Sequence, residues 1–296
     1  MRFAPRPWLV MAALAAPAAA QIATPPPSGI LPPPKPPASV EGYVVTADIK
    51  ALAPELKSSK KAAPEAQALV QDLKGLTHLV SRFSLSKDFS HQEVLNTDFL
   101  LPQGTVILHK GGDRFYVIAD PKQKTYVVME SGAVLKALEG GAGILNSGYQ
   151  AKVAHTQDWK DVAGLRCRKS IVTVAYASSI PFENERVMVQ QTNDLEVWHT
   201  ADAVSNVALD HLFFKFQQDK TGTVKRVVEQ DIGFPAEIKF VVSQASAKTT
   251  GPQAGSFHSV VTEFRKERKL DGSLFQIPPA GYRQLERNPY FAAAVR

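Results

Sequence analysis

Apolar residues recur along this chain with two different periods, and the switches between them mark its elements. From Pro64, PEAQALVQDLKGL puts Leu69, Leu73 and Leu76 on one side with Val70 beside them, the spacing of an amphipathic helix. Pro64 suits a first helical turn and Glu65 the positive end of the dipole, while Gly75 weakens the helix end. The period then drops to two: Leu79, Phe83 and Leu85 are interleaved with polar residues such as Arg82 and Ser84, which predicts a strand. QEVLNTDFLL and GTVILHK read as strands parted at Pro102, Gln103 and Gly104. Arg114–Ala119 and Lys124–Met129 are aromatic and β-branched, and Asp120-Pro121 between them predicts a hairpin turn. SGAVLKALEGG predicts a short helix from Ser131 to Gly140.

LRCRKSIVTVAYA predicts a strand entered by a turn at Asp161–Gly164, and ERVMVQQTNDLEVWHT a second hairpin. A helix is expected near Val204–Gln217, with Val204, Val207, Leu212, Phe213 and Phe216 turned inward. Two late strands, AEIKFVVSQ and SFHSVVTEFRKERK, flank a polar loop that contains Gly251-Pro252. This order predicts one α+β domain over 40–290, mainly antiparallel β. Phe115–Ile118 and Ile171–Val174 are apolar on both sides; strands of that kind have both faces covered. Either loops cover the outer face, or the concave side holds a cavity for an apolar ligand.

The ends of the chain set its expected address. MRFAPRPWLVMAALAAPAAAQ has Arg2 and Arg6, an apolar run from Trp8 to Ala15 and the small residues Ala18–Ala20. This is the pattern of a secretory signal peptide over 1–20, cleaved near Ala20-Gln21. The apolar run is shorter than the roughly 20 residues that span a bilayer, so the chain is expected not to span a membrane. Cys167 is the single cysteine, which leaves none at the cleavage site to carry a lipid and no internal disulfide. A periplasmic or secreted location follows as the expectation. TPPPSGILPPPKPP, Thr24–Pro37, lies in a Pro-rich disordered leader over 21–39, and 291–296 is a short tail. Loss of Arg2 and Arg6 lowers the net charge from +6 to +4, with 32 basic residues against 28 acidic. Lys and Arg are scattered, which argues against a nucleic-acid partner.

Three stretches carry a family resemblance. QALVQDLKGLTHLVSRFSLS followed by GGDRFYVIADPKQKTYVVME resembles the opening of the periplasmic lipoprotein carriers of the LolA/LolB-like superfamily. KDVAGLRCRKSIVTV with EVWHTAD, and the closing KLDGSLFQIPPAGYRQL, are similar to an exported family known only as a domain of unknown function. In the closing stretch Leu270, Phe275, Pro278, Gly281 and Tyr282 match, with one extra residue between Pro278 and Gly281. The resemblance spans about 64–286; a longer leader and extra loops at Ser178–Asn184 and Ala245–Gly255 depart from it. It implies a curved, incomplete β-barrel with helices against its concave face and an apolar cavity for a lipid, an acyl chain or a lipidated protein. Phe83, Phe115, Val117, Tyr126 and Trp198 are then candidates to line that cavity, with Phe213 and Phe216 as its lid. Arg265 and Arg268, in FRKERK, are candidates for a headgroup patch; otherwise the run is a solvated strand whose charges protect an edge.

Catalytic chemistry is not legible. The seven histidines include no H-x-H or H-E-x-x-H pair, and most read as surface or capping residues. No G-x-S-x-G elbow occurs, and GGAGI follows a helix where a phosphate loop needs a strand before it. Asp202 in HTAD reads as the end of a strand and a helix cap. Neither catalysis nor a cofactor or metal is expected. Arg166 and Arg168 flank Cys167, but strand alternation points them to the opposite face, so the cysteine reads as a buried strand residue. The leading expectation is a carrier-type binding protein. The alternative is a cell-envelope assembly module that recruits a protein partner through its leader or a strand edge.

Overall fold

The computed structural model describes residues 38–52, 78–97, 101–111, 115–130, 145–182, 185–204, 208, 219, 221–246, 249–250, 256–286 and 289. Residues 1–37, the C-terminal tail and the expected helices from Pro64 and from Ser131 lie outside these residues. So does nearly all of the helix expected near Val204–Gln217. The end of the expected leader is ordered: Ala38 accepts the Gly272 N–H and Ser39 opens the first strand.

The described chain is mainly antiparallel β. Its strands are β1 (Ser39–Leu52), β2 (His78–Leu85), β3 (Phe89–Thr97), β4 (Val106–Lys110), β5 (Phe115–Asp120) and β6 (Thr125–Glu130). They continue with β7 (Leu145–Val162), β8 (Leu165–Phe182), β9 (Glu185–Thr200), β10 (Phe234–Ser246), β11 (Thr249–Thr250), β12 (Ser256–Asp271) and β13 (Arg283–Gln284). Helix α1 is Thr223–Asp231. The strands form one open sheet in the order β13-β6-β5-β4-β3-β2-β1-β12-β10-β9-β8-β7, with β11 on β10. The β13–β6 pair is parallel. Chain neighbours pair in sequence from β1 to β6 and from β7 to β10, and β12 returns to join the two meanders.

Local chemistry explains the expected hairpins. Asp120 Oδ1 accepts the N–H groups of Lys122 (2.9 Å) and Gln123 (3.1 Å), and Lys124 takes a positive φ of 50° to turn β5 into β6. The closing stretch places Asp271 so that its Oδ1 accepts the Ser273 N–H (2.9 Å), capping a 3-10 turn over Gly272–Phe275. Phe275 is buried against Phe89, and the chain then returns beside Tyr126 as β13. Gly42 sits where β1 meets β2: a Cβ there would lie 2.0 Å from the Leu85 carbonyl oxygen, so only glycine fits.

Several elements differ from expectation. ERVMVQQTNDLEVWHT is a single strand and not a hairpin. Asn193 and Asp194 are paired on both sides, with Val174 and Thr173 on β8 and with Val242 and Val241 on β10. Asp194 Oδ1 accepts the Thr173 hydroxyl at 2.7 Å, so its turn-forming oxygen is engaged across the ladder. Ser178–Asn184 is mostly strand and not a loop, since β8 pairs with β9 from Ser178 to Phe182. The turn before β8 is at Ala163 (φ 49°) and Gly164 (φ 81°), later than the expected start at Asp161. Phe264–Lys269 pairs with β1, while β10 pairs with β12 only over Ser256–Val260; the charged run has a strand neighbour on one side, as an edge does.

Three buried clusters hold the sheet. Val94, Leu101, Ile118 and Val127 form one, with Leu79, Ile107 and Met129 against them. Val172, Val174, Leu195, Val197, Ile238 and Phe240 form the second, under Val224, Val228 and Ile232 of α1 and its exit. The third contains Val45, Phe83, Leu85, Cys167, Phe234 and Val261. Val117 and Ile118 are adjacent, point to opposite faces and are both buried, so both faces of β5 are covered as its apolar pattern implies.

Candidate functional site

The third cluster lies at a seam in the sheet. β10 has a register break between Pro235 and Glu237, and the β1–β12 ladder has one between Thr46 and Ala47. Proline is admitted in a strand at such irregularities because it cannot donate to the ladder. Around the seam, rings from three strands meet. Tyr43 and Phe264 lie 5.2 Å apart between centroids, Phe234 meets Phe264 edge-on at 5.5 Å, and Tyr43 and Phe234 are 6.3 Å apart. Phe234 is buried, whereas Tyr43, Phe264, Trp198 and Val260 are half-buried and pack against the same core. The Tyr43 hydroxyl accepts the N–H of Val204, whose side chain is exposed.

Charged groups border Trp198. Lys160 Nζ lies 4.3 Å from its ring centroid and Lys169 Nζ 5.9 Å, the geometry in which a ring face attracts a cation. Lys160 also bonds Glu237 Oε2 at 2.5 Å, Glu237 Oε1 pairs with His258 Nε2 at 3.1 Å, and Lys169 pairs with Glu196 at 3.0 Å. Burial pushes the Glu237 carboxyl up, but hydrogen bonds from Lys160 and His258 more than reverse this, leaving it below the usual carboxylate range. The Lys160–Glu237 bridge joins β7 to β10, with β8 and β9 between them in the sheet order.

Of the cavity candidates, Phe83 and Trp198 come together at this core. Phe115, Val117 and Tyr126 do not: the β5–β6 pairing sets them on one face and Ile118 with Val127 on the other. Ile118 pairs through Ile107 and Gln92 to Phe83, so Phe83 belongs to the Ile118 face. Phe213 and Phe216 lie outside the described residues. Arg265 is exposed and its Nε is 2.6 Å from Glu267 Oε1; Lys266 pairs with Glu41, and Arg268 is exposed. Acidic partners thus offset much of the charge of the expected headgroup patch. Tyr43, Phe234, Phe264, Lys160 and Glu237 were not expected at a site. The alternation of Tyr43, Val45, Ala47 and Ile49 carried a strand signal, but nothing local reports which distant strand it meets.

Cys167 belongs to the same core and is fully buried, its Sγ 3.4 Å from the Leu165 carbonyl oxygen. Burial pushes its thiol up to about 11, with Lys160 opposing only in part. A thiol held protonated and shielded is inert. A thiol reagent at pH 8 should leave native protein unmodified and label one site per chain after unfolding; rapid labelling of the native form would refute this placement.

A second constellation lies on the other face of β8. His155 Nδ1 and His199 Nε2 each sit 2.8 Å from Ser170 Oγ, and His199 Nδ1 accepts the Gly233 N–H at 3.0 Å. That backbone donor fixes the tautomer of neutral His199: its proton is on Nε2 and is donated to Ser170 Oγ, which also bonds His155 Nδ1. His199 is therefore a buried structural histidine, unlike the surface role expected of most histidines. Burial, then the charges of His155 and Arg168, lower its pKa to about 4. Ser170 is fully buried, so its hydroxyl works as a strut between strands. Gly233 is required there, because a Cβ would lie 2.2 Å from the Thr200 carbonyl oxygen. Asp202, beyond the end of β9, is exposed, and its N–H is bonded to Thr200 Oγ1.

Among the described residues no group of three or more His, Cys, Asp or Glu is arranged to hold a metal ion, and no helix is long and apolar enough to cross a membrane. No family model matches this chain, and no curated protein matches it.

Proposed function

We propose that this is an exported, carrier-type binding protein without catalysis, which takes a lipid, an acyl chain or lipidated cargo against the seam of its sheet. The observation that carries the reading is the half-buried aromatic group of Tyr43, Phe264 and Trp198 set on a buried core. Aromatic surface left partly open beside a packed core stabilises an apolar ligand by further burial, at about 25 cal/mol per Å². The resemblance to the LolA/LolB-like carriers supports the same reading. It adds a curved, incomplete barrel with helices on its concave face, and the N-terminal pattern adds a cleaved signal peptide and a periplasmic or secreted location. Native mass spectrometry of protein purified from an envelope fraction should find retained lipid, reduced in Phe264→Ala. Protein that emerges free of lipid and takes up none from mixed vesicles would defeat the proposal.

One observation favours a second reading, an assembly module. β7 is 18 residues long, ends the sheet order and exposes Leu145 and Trp159; a long edge of this kind accepts an added strand from a partner. Proline substitutions along β7 would abolish capture of such a partner and leave lipid retention intact.

A further inference from the structure

Trp198 marks the place where the apolar seam meets charge. In the ladders Lys169 of β8 and Glu237 of β10 lie opposite it, and Glu237 lies in turn opposite Val260 of β12. The next row on the same face carries Glu196, Lys239, His258, Lys50 and His78, one each from β9, β10, β12, β1 and β2. Apolar surface therefore ends at Trp198 and Val260, and a row of charged and imidazole side chains begins one step beyond. All of these groups are half-buried or exposed, so a ligand reaches them without opening the core.

Bases outnumber acids on this face. Glu237 holds both Lys160 and His258, and Asp48 holds both Lys50 and His78. Glu196 holds Lys169 and has Lys239 directly across from it on β10. Among the described residues four lysines and two histidines thus share three carboxylates. Further along, Lys152 and Asp194 lie on either side of Thr173 and offset each other, which leaves the surplus in place. Two of the lysines converge on one ring, with Lys160 Nζ 4.3 Å and Lys169 Nζ 5.9 Å from the Trp198 centroid.

We propose that the seam cargo carries an anionic head, a carboxylate or a phosphate, which Lys160 and Lys169 bind beside Trp198 while the acyl chain lies toward Tyr43 and Phe264. The inference rests on the carrier reading above and names the chemical class of its cargo. When the anion arrives, Lys160 turns from Glu237, which keeps His258, and Lys169 turns from Glu196, which keeps Lys239 beside it. Neither carboxylate is left without a basic partner, the loss that makes breaking an ion pair in a protein unfavourable. A chain laid over Trp198 displaces water from the lysines, and an ion pair strengthens as the local dielectric falls. A neutral ester gains no such contact, and a cationic head meets two ammonium groups already seated at the ring.

The test uses the full chain loaded with the neutral fluorescent probe N-phenyl-1-naphthylamine. Four competitors of equal chain length displace it: oleate, 1-oleoyl lysophosphatidate, methyl oleate and oleylamine. At least one anion should bind about tenfold more tightly than methyl oleate, and the tighter of the two identifies the head as carboxylate or phosphate. Lys160→Met and Lys169→Met keep an apolar stem and remove the charge. Each should lower the anion-to-ester ratio about threefold, and the double variant should bring it near one. Lys169→Arg keeps the charge and should keep the ratio, which separates loss of charge from loss of fold. Lys225→Met removes a charge from α1, over the opposite face of the sheet, and should leave the ratio as it is. A ratio near one in the native protein, a preference for oleylamine, a ratio that survives the double variant, or one that falls equally in Lys225→Met would overturn the inference. If neither the probe nor any competitor binds, the carrier reading itself fails; if ester and anions bind alike, only this inference fails.

Discussion

Phe240→Ala should lower the unfolding free energy by about 3–5 kcal/mol, the top of the range for truncating a core side chain. Phe240 is 1 % exposed and belongs to the cluster of Val172, Val174, Leu195 and Val197. Val224, Val228 and Ile232 close that cluster from α1 and its exit. Loss of the ring removes transfer free energy and leaves a void that rigid strands on both sides fill poorly. Because α1 is nine residues long, it depends on this floor more than on its own propensity. Urea unfolding at neutral pH measures the effect. Val187→Ala provides the contrast: Val187 is 45 % exposed, so its truncation should change stability by less than about 0.5 kcal/mol. Similar effects from both substitutions would contradict the packing described.

The second large effect is acid destabilisation through His199. Its ordinary value of 6.5 is lowered to about 4 in the fold. The folded protein thus resists a proton that the unfolded chain accepts. Stability from this residue is complete above about pH 6.5, falls as pH drops and is lost below about pH 4, a swing of about 3 kcal/mol. The structural reason is that Nδ1 accepts the Gly233 N–H and Nε2–H is committed to Ser170. A second proton has to break the Gly233 bond, beside Arg168 and His155. Glu237 adds to the same trend, since its lowered carboxyl loses stability as pH falls through the carboxylate range. His199→Gln, which does not titrate, should be less stable at pH 7.5 but show a flatter fall to pH 4. An unchanged slope would place the acid sensitivity elsewhere.

Strands with clean alternation and turn chemistry are legible in the sequence. β2 through β6 follow their apolar spacing, and Asp120-Pro121 turns as its composition requires. β7 is not legible because LNSGYQAKVAHTQDWKDV at the sheet edge contacts the core through few apolar residues, chiefly Tyr149, Ala151 and Val153. α1 is hidden for another reason. Its three valines favour strands locally, and its cap comes from Asp219, whose Oδ2 accepts the Val224 N–H at 2.8 Å, while the N-cap Gly222 has no side chain to signal it. Asn193-Asp194 misleads because turn propensity is a local signal and both residues are held by ladders on two sides. The site is half legible: Phe83 and Trp198 stand out by their type. Their meeting with Tyr43, Phe234 and Phe264 depends on two register breaks and on β12 crossing back to β1, none of which leaves a local pattern.

The central claim is that apolar cargo lies against the seam, and tryptophan fluorescence tests it most directly. The chain has three tryptophans, at positions 8, 159 and 198. Trp198 packs on the seam core, while Trp159 is 50 % exposed beside Arg166. Titration with a brominated fatty acid, whose bromines quench on contact, should quench the protein saturably. Trp198→Phe should abolish most of that quenching, and Trp159→Phe should keep it. Saturable quenching that persists in Trp198→Phe, or no saturable quenching at all, would contradict the account.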